Sequence, residues 1–184
     1  EKYRELGTVS NLSTFNRLGV LPTRNFQESS FAEADSLTPE ALAPNDGMIR
    51  ESCAACTIRC EHVYPIAGNA TGSGRSHVRM EYESLFALGP LCGVSNPETV
   101  LQAAAFCDEW GLDTISAGAT IAFAMECAER ELIDQPELRF GEDAALLQTL
   151  ELIARRDGIG ELLSQGTRIA SREIGQGAED FAPH

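Results

Sequence analysis

The fold is decided by the stretch Asn96-Pro97-Glu98-Thr99-Val100-Leu101-Gln102-Ala103-Ala104-Ala105-Phe106-Cys107-Asp108-Glu109-Trp110-Gly111-Leu112-Asp113-Thr114-Ile115-Ser116. Asn96 is a typical N-cap residue, and Pro97 suits the first position of a helix. Apolar residues then recur at helical spacing until Gly111, a residue that commonly ends helices. The stretch therefore predicts a helix, a glycine turn and the start of a second helix.

Further helical patterns lie on both sides of this stretch. They predict a short helix after the N-cap Thr38, a short helix within residues 80–90, and longer helices over Ser116 to Arg130, Asp143 to Arg156 and roughly Glu161 to Ile174. No alternating pattern of strand length is present. We therefore predict an all-α fold, in which residues 1–184 form a single multihelical domain.

The N-terminal third of this domain is expected to be irregular and rich in loops. Residues Leu6 to Phe31 contain Asn, Ser, Thr, Gly and Pro throughout, which favours turns over regular structure. The segment Tyr64 to His77 is rich in Gly, Ser, Thr and Asn, and it predicts a loop with a possible hairpin.

The composition excludes several classes of function. A formal net charge of −14 over 184 residues disfavours binding to nucleic acid or to anionic membrane surfaces. No apolar run approaches the roughly 18 to 20 residues of a membrane span, and the charged start Glu1 to Glu5 does not resemble a signal peptide. We therefore expect a cytoplasmic protein with reduced thiols.

Three of the six cysteines form a compact motif, in which Cys53, Cys56 and Cys60 have the spacing C-x2-C-x3-C. A C-x2-C turn can direct two sulfurs at one metal, and a third thiol about one helical turn further on can reach the same side. An iron–sulfur cluster is the leading interpretation. Structural zinc and buried inert thiols are the alternatives, although no second C-x2-C pair is available to complete a zinc site.

Two groups of carboxylates are further candidates for a functional site. Asp108 and Asp113 flank the turn at Gly111, where they could contact a polar ligand or simply cap helices. Glu81 and Glu83 flank a tyrosine, and either carboxylate could act as a general base or belong to a solvated helix face. Their spacing does not decide between these roles.

Taken together, the motifs resemble the aldehyde ferredoxin oxidoreductase family from one end of the chain to the other. They occur in the family's order, as Gly7-Thr8, Leu21-Pro22-Thr23-Arg24-Asn25-Phe26, Cys53-x2-Cys56-x3-Cys60, Glu81-Tyr82-Glu83, Asp108-x-x-Gly111-Leu112-Asp113-Thr114-Ile115-Ser116-x-Gly118 and Leu163-Ser164-Gln165-Gly166. Members of this family hold tungsten, or sometimes molybdenum, between two pterins beside one 4Fe–4S cluster. The resemblance thus implies both cofactors.

The resemblance also implies roles for individual residues. Cys53, Cys56 and Cys60 match three cluster ligands, while the family's fourth cysteine lies in a later motif that this sequence lacks. The turn containing Asp108, Gly111, Leu112 and Asp113 matches a pterin-binding motif. Glu81 or Glu83 matches a region that supplies a glutamate near the metal.

The implied identity is the middle, mostly helical fragment of a larger enzyme, without the N-terminal β-rich domain that forms a base for the pterins and without the later helical domain. Its partners would be those remaining domains, ferredoxin and a small aldehyde. The fragment would be inactive alone. A related tungstopterin reductase acting on another substrate class, such as an acyl-CoA, and an electron-transfer or zinc-binding module are the alternatives.

The remaining cysteines are expected to serve packing. Cys107 and Cys127 lie within apolar helical patterns and Cys92 lies in a glycine-rich turn. Each could supply a fourth thiolate in principle, but small core residues are the expected role.

Overall fold

The structure is a computed structural model that describes residues 2–43, 47–66 and 76–183. Over these residues the chain is mostly helical, which confirms the predicted fold class. The α-helices are α1 Lys2–Leu6, α2 Asn11–Leu18, α3 Pro39–Leu42, α4 Tyr82–Leu88, α5 Pro97–Trp110, α6 Thr114–Glu129, α7 Asp143–Arg155, α8 Ile159–Leu163 and α9 Thr167–Ile174. Short 3-10 helices occur at Thr8–Ser10, Ala34–Leu37, Pro90–Cys92 and Ala178–Phe181.

Helix α6 is the centre of the hydrophobic core. Every residue from Ala117 to Cys127 except Ala119 is buried, and α4, α7, α8 and α9 pack around this helix. At Gly118 the helix passes so close to α4 that an added Cβ would lie 2.4 Å from the Ala87 carbonyl oxygen. Gly118 therefore permits close packing between α4 and α6.

The helix ends follow the predicted capping residues. The Thr38 hydroxyl accepts a hydrogen bond from the Ala41 N–H, and the Asn96 side chain accepts one from the Glu98 N–H. Gly111 ends α5 with a φ of 68°, in the left-handed region that favours glycine.

A small antiparallel sheet departs from the sequence prediction. Its strands are β1 Ile49–Glu51, β2 Glu61–Pro65 and β3 His77–Met80, in that order across the sheet. Strands of 3, 5 and 4 residues are too short to give a clear alternating pattern. The predicted hairpin within Tyr64 to His77 corresponds to the β2–β3 pair, and the segment 67–75 between these strands lies outside the described residues.

One prediction about a helix was wrong. The helix expected over Glu161 to Ile174 is divided into α8 and α9, because Gly166 adopts a φ of 83° between them. The N-terminal third is rich in loops, as predicted, although the segment Leu6 to Phe31 also contains the short helix α2, in which Leu12 is buried.

The turn after α2 has an unusual backbone. Arg24, Asn25 and Phe26 have φ values of 46°, 50° and 65°, a conformation that residues other than glycine seldom adopt. The Arg24 N–H donates to the Pro90 carbonyl and the Asn25 N–H donates to the Leu91 carbonyl, both at 3.0 Å. These hydrogen bonds hold the turn against the segment that follows α4.

The side chain of Asn25 continues this connection into the core. It donates to the buried carboxylate of Glu126 at 2.7 Å, and Arg130 Nε donates to the same carboxylate at 2.8 Å. The Arg130 guanidinium also lies 4.3 Å from the centre of the Phe181 ring. One buried carboxylate thus joins the turn, α6 and the C-terminal segment.

Candidate cofactor site

The three clustered cysteines lie on one loop between β1 and β2, residues 52–60, which we call the cysteine loop. Cys53 is exposed, whereas Cys56 and Cys60 are half-buried, and all three are free thiols. The Cys56 N–H donates to the Cys53 carbonyl at 3.1 Å, so the C-x2-C segment forms a turn. The loop therefore presents three unpaired thiols near solvent.

The cysteine loop fits an iron–sulfur cluster by its donor chemistry, because thiolates are the ligands that such clusters take. The thiols do not yet converge, however. Across residues 2–43, 47–66 and 76–183, no group of three or more His, Cys, Asp or Glu side chains is close enough to hold a metal ion. The structure places the predicted ligands on one loop without gathering them around one centre.

The other three cysteines belong to the core, as expected. Cys92, Cys107 and Cys127 are buried, and Cys92 Sγ donates to the Ala87 carbonyl at 3.4 Å. Burial raises the pKa of the Cys107 thiol to about 12 and that of the Cys127 thiol to about 12, and it raises the pKa of Cys92 as well. Protonated, buried thiols of this kind are packing residues.

The sheet brings the cysteine loop to the start of α4. His62 in β2 pairs with Met80 in β3, so Cys60, two residues before His62, lies at the same end of the sheet as Glu81, one residue after Met80. Helix α4 begins immediately afterwards at Tyr82. The thiol motif and the Glu81–Glu83 motif, 20 residues apart in sequence, are therefore neighbours.

Gly7 and Thr8 connect strand β2 to the start of α4, because Gly7 contacts His62 and Thr8 contacts Tyr82. Gly7 has a φ of 65°, and an added Cβ would lie 2.7 Å from His62 Nδ1, so the buried imidazole packs directly on the glycine backbone. Burial lowers the pKa of His62. The Thr8 hydroxyl accepts a hydrogen bond from the Tyr82 N–H at 3.0 Å, at the first residue of α4.

The two glutamates have different settings. Glu81 is half-buried at the N-cap position of α4, whereas Glu83 is exposed in the first turn. The residue after Glu83, Ser84, shares a hydrogen bond of 2.9 Å with the hydroxyl of Thr114 at the start of α6. Burial, with a smaller contribution from the Glu83 charge, raises the pKa of Tyr82 to about 12.

The predicted pterin-binding turn is connected to the start of α4 by the Ser84–Thr114 hydrogen bond, because Thr114 follows the turn directly. Asp108 lies in the last turn of α5. Gly111 and Leu112 follow this helix and lead to Asp113, the N-cap of α6. Asp113 Oδ1 accepts a hydrogen bond of 2.7 Å from the Ser116 N–H, and this bond lowers the pKa of the carboxyl group. The structure thus shows capping by Asp113, and we call the region around Glu81, Glu83, Asp108 and Asp113 the carboxylate corner.

An apolar cavity of about 330 Å³ adjoins the carboxylate corner. Phe86 of α4 and Ile115 of α6 line it together with Phe26 and Gly166. Phe26 and Ile115 are exposed although they are large and apolar. The motifs containing Phe26, Ile115 and Gly166, which lie far apart in sequence, therefore meet at one surface.

Sequence reasoning missed several residues that shape this region. Arg79 forms ion pairs with Glu61 and Glu51 at the base of the cysteine loop, and Thr114 connects α6 to α4. The alternation of polar and apolar residues in His77-Val78-Arg79-Met80 is too short to have identified Arg79, and its place between the buried Val78 and Met80 is visible only in the structure. No local signal pointed to the Ser84–Thr114 contact, which joins residues 30 positions apart.

No helix among the described residues is long and apolar enough to cross a membrane.

The chain is similar along its whole length to proteins of one family. The family model described as aldehyde ferredoxin oxidoreductase, domains 2 and 3, matches residues 1–184. The chain is 38% identical over 177 residues to a tungsten-containing aldehyde ferredoxin oxidoreductase of Pyrococcus abyssi, with 90% of this chain and 28% of that protein covered. For the protein of the same description from Pyrococcus furiosus the identity is 36%, with 88% and 27% covered.

Two other matches extend the comparison. An aliphatic sulfonate oxidoreductase, WOR-like subunit, of Pyrococcus furiosus is 32% identical over 100 residues, covering 52% of this chain and 16% of that protein. The active site complex BamBC of benzoyl coenzyme A reductase, solved with 1,5-dienoyl-CoA, shares the fold with a TM-score of 0.70 at 24% identity, covering 96% of this chain and 27% of that chain. The chain spans a little over a quarter of the length of the curated aldehyde oxidoreductases it matches.

Proposed function

Because this chain belongs to the aldehyde ferredoxin oxidoreductase family, we propose that it is the cluster-binding and pterin-binding part of a tungsten-containing oxidoreductase. The proposed reaction converts an aldehyde and water into a carboxylic acid, two protons and two electrons, and the electrons pass through a 4Fe–4S cluster to ferredoxin. The tungsten–pterin group, or its molybdenum counterpart, supplies the two-electron chemistry when bound. The parent chain's other domains complete the site.

The observation that carries this proposal is the meeting of the cysteine loop and the carboxylate corner at one end of the sheet. Cys60 and Glu81 lie at that end through the β2–β3 register, and the Ser84–Thr114 hydrogen bond brings α6 to the same place. A cluster ligand and polar groups that could face a second cofactor are thereby close to each other. Electron transfer between two cofactors requires this kind of proximity.

We assign Cys53, Cys56 and Cys60 to the cluster. All three are free and reach solvent, and the turn at Cys53 and Cys56 gives the loop its first bend. Asp108, Gly111, Leu112 and Asp113 are assigned to a pterin. This assignment rests on the family motif that the turn matches, and the hydrogen bond from the Ser116 N–H to Asp113 Oδ1 holds the turn at the start of α6.

Of the two glutamates, Glu83 is assigned the role of general base. It is exposed in the first turn of α4, beside the Ser84–Thr114 contact that leads to the pterin-binding turn, whereas Glu81 is half-buried. In the full-length protein, E83Q is expected to lower kcat about 100-fold with unchanged metal content, since a positioned base contributes about that much. The matched variant E81Q should lower kcat far less, and the reverse order would contradict the assignment.

Metal analysis of the full-length protein, prepared without oxygen in the presence of tungstate, tests the proposal most directly. We expect iron, tungsten and oxidation of simple aldehydes with a viologen acceptor. The variant C56S should lose iron, whereas C107S, which alters a core thiol, should retain it. Zinc without iron would overturn the proposal and favour a zinc-binding module.

The substrate class has a second candidate because one relative is described as an aliphatic sulfonate oxidoreductase subunit. Tungsten-loaded protein that oxidises alkyl sulfonates but no aldehyde would favour that class. An iron- and tungsten-containing protein active on aldehydes would favour the first.

A further inference from the structure

Two glutamates with like charges face each other where the two ends of the cysteine loop meet. We call this place, formed by Glu51, Glu61 and Arg79, the neck of the loop. The β1–β2 register places Glu51 directly opposite Glu61. Glu51 is separated from Cys53 by one residue, and Glu61 follows Cys60 immediately. Like charges directly opposite each other push antiparallel strands apart, so this neck needs a counterion.

Arg79 of β3 supplies that counterion. Its Nε forms an ion pair with Glu61 Oε1, and its Nη2 lies 3.8 Å from Glu51 Oε2. The Glu61 side chain is only 5% exposed, whereas those of Arg79 and Glu51 are 58% and 53% exposed. A buried carboxylate depends strongly on its partner, while the exposed Glu51 depends on it less.

A second contact closes the same neck. Arg59, inside the cysteine loop, donates to the Arg50 carbonyl at 3.4 Å. Arg59 has a φ of 56°, which turns the chain toward Cys60. Apart from these contacts and the Cys53–Cys56 turn, residues 52–59 are largely exposed and have little packing to fix them.

We propose that Arg79 is a positioning residue for the metal centre, because it holds both ends of the cysteine loop and thereby sets the approach of Cys53 to Cys60. This inference rests on the proposed function of the loop as a ligand loop. Arg79 itself is not a metal ligand. Groups that hydrogen-bond to metal ligands typically change metal affinity by about 10- to 100-fold when removed, and Arg79, which acts through Glu51 and Glu61, is expected at the lower end of that range.

The test compares iron release from variants of the iron-loaded full-length protein. R79Q keeps a polar side chain, although a shorter one, and removes the positive charge from the neck. We expect R79Q to release iron to a ferrous chelator about 10-fold faster than the wild type, and to alter the electron paramagnetic resonance spectrum of the reduced cluster. R172Q is the matched control, because it removes an exposed ion pair with Glu179 that lies outside the cysteine loop.

Two further variants keep the test decisive. R79K retains one charge without the forked geometry, so its iron release should fall between those of the wild type and R79Q. In the double variant E51Q/R79Q the like-charge pair is gone, and release should be slower than in R79Q. If R79Q does not fold, R79K compared with R172K decides the question.

The outcomes separate this inference from the proposed function. Wild-type protein that binds no iron would overturn both. An iron-loaded wild type, with R79Q and R79K releasing iron at the wild-type rate and giving the same spectrum, would overturn the role of Arg79 alone. A lower melting temperature in R79Q with an unchanged spectrum and release rate would also count against it, since that result describes sheet stability only.

Discussion

The helical core around α6 and the cysteine loop differ in how much of their surface is buried and packed. Around α6 the side chains are buried, and Gly118 allows the backbones of α4 and α6 to come into contact. The cysteine loop has exposed residues, a three-stranded sheet of short strands behind it and thiols that do not converge. The difference teaches that packing within the chain fixes the arrangement around α6, whereas the contacts within the cysteine loop do not by themselves bring its three thiols together.

The largest effect expected from this contrast is in thiol reactivity. In metal-free protein at pH 8, Cys53, Cys56 and Cys60 should react with iodoacetamide at least about 100-fold faster than Cys107 and Cys127, since only thiolates react. A pKa of about 12 leaves the two core thiols almost entirely protonated. Mass spectrometry of timed samples measures the labelling.

Equal labelling of all five thiols would break the comparison, because it would mean that the core opens as readily as the loop. Labelling in denaturant is the control, and there the two groups should become similar.

A smaller effect is expected from crowding the contact between α4 and α6. G118A places a Cβ against the Ala87 carbonyl and should lower the free energy of unfolding by about 3 kcal/mol. The matched variant G111A meets no atom within 4 Å and carries only the strain of a positive φ, so it should cost about 1 kcal/mol. Urea unfolding of the two variants measures the difference.

A G118A variant as stable as G111A would contradict the description of the core as closely packed. The contrast between a closely packed core and an exposed cysteine loop would then not hold.

The smallest effect concerns the N-cap of α6. D113A should cost about 1 kcal/mol at pH 7, because the Ser116 N–H loses its acceptor. The folded-state pKa of Asp113 is lowered, so the contribution of its charge is complete above about pH 4 and is lost as the pH falls through the lowered pKa. The stability difference between wild type and D113A should therefore shrink below pH 4.

D113N provides the control for this prediction, since asparagine also caps helices but does not titrate. Its stability relative to D113A should change little with pH. A difference between wild type and D113A that stays constant down to pH 2 would show that the charge of Asp113 adds nothing to the cap.

The features that could be predicted from the sequence are those set by residues close to one another along the chain. The caps at Thr38 and Asn96 and the glycine end at Gly111 are local interactions, and each was predicted correctly. The sheet was missed because its strands are short and its pairing joins distant residues. The resemblance implied that the motifs of the candidate site lie near one another, but the strand pairing that brings Cys60 and Glu81 to one end of the sheet was not predicted.

Arg79 illustrates the limit most clearly. Its side chain gains meaning only from the register that sets Glu51 opposite Glu61, and no spacing in the sequence encodes that register. The break at Gly166 is a milder case, since the glycine was visible but its effect on the helix depends on the packing of α8 and α9 against α6.

The turn formed by Arg24, Asn25 and Phe26 has a consequence for protein chemistry. A mirror-image amino acid finds this backbone geometry natural. Semisynthetic protein with D-phenylalanine at position 26 should therefore be more stable than the natural chain, which makes this turn a site where chirality can be exchanged to advantage.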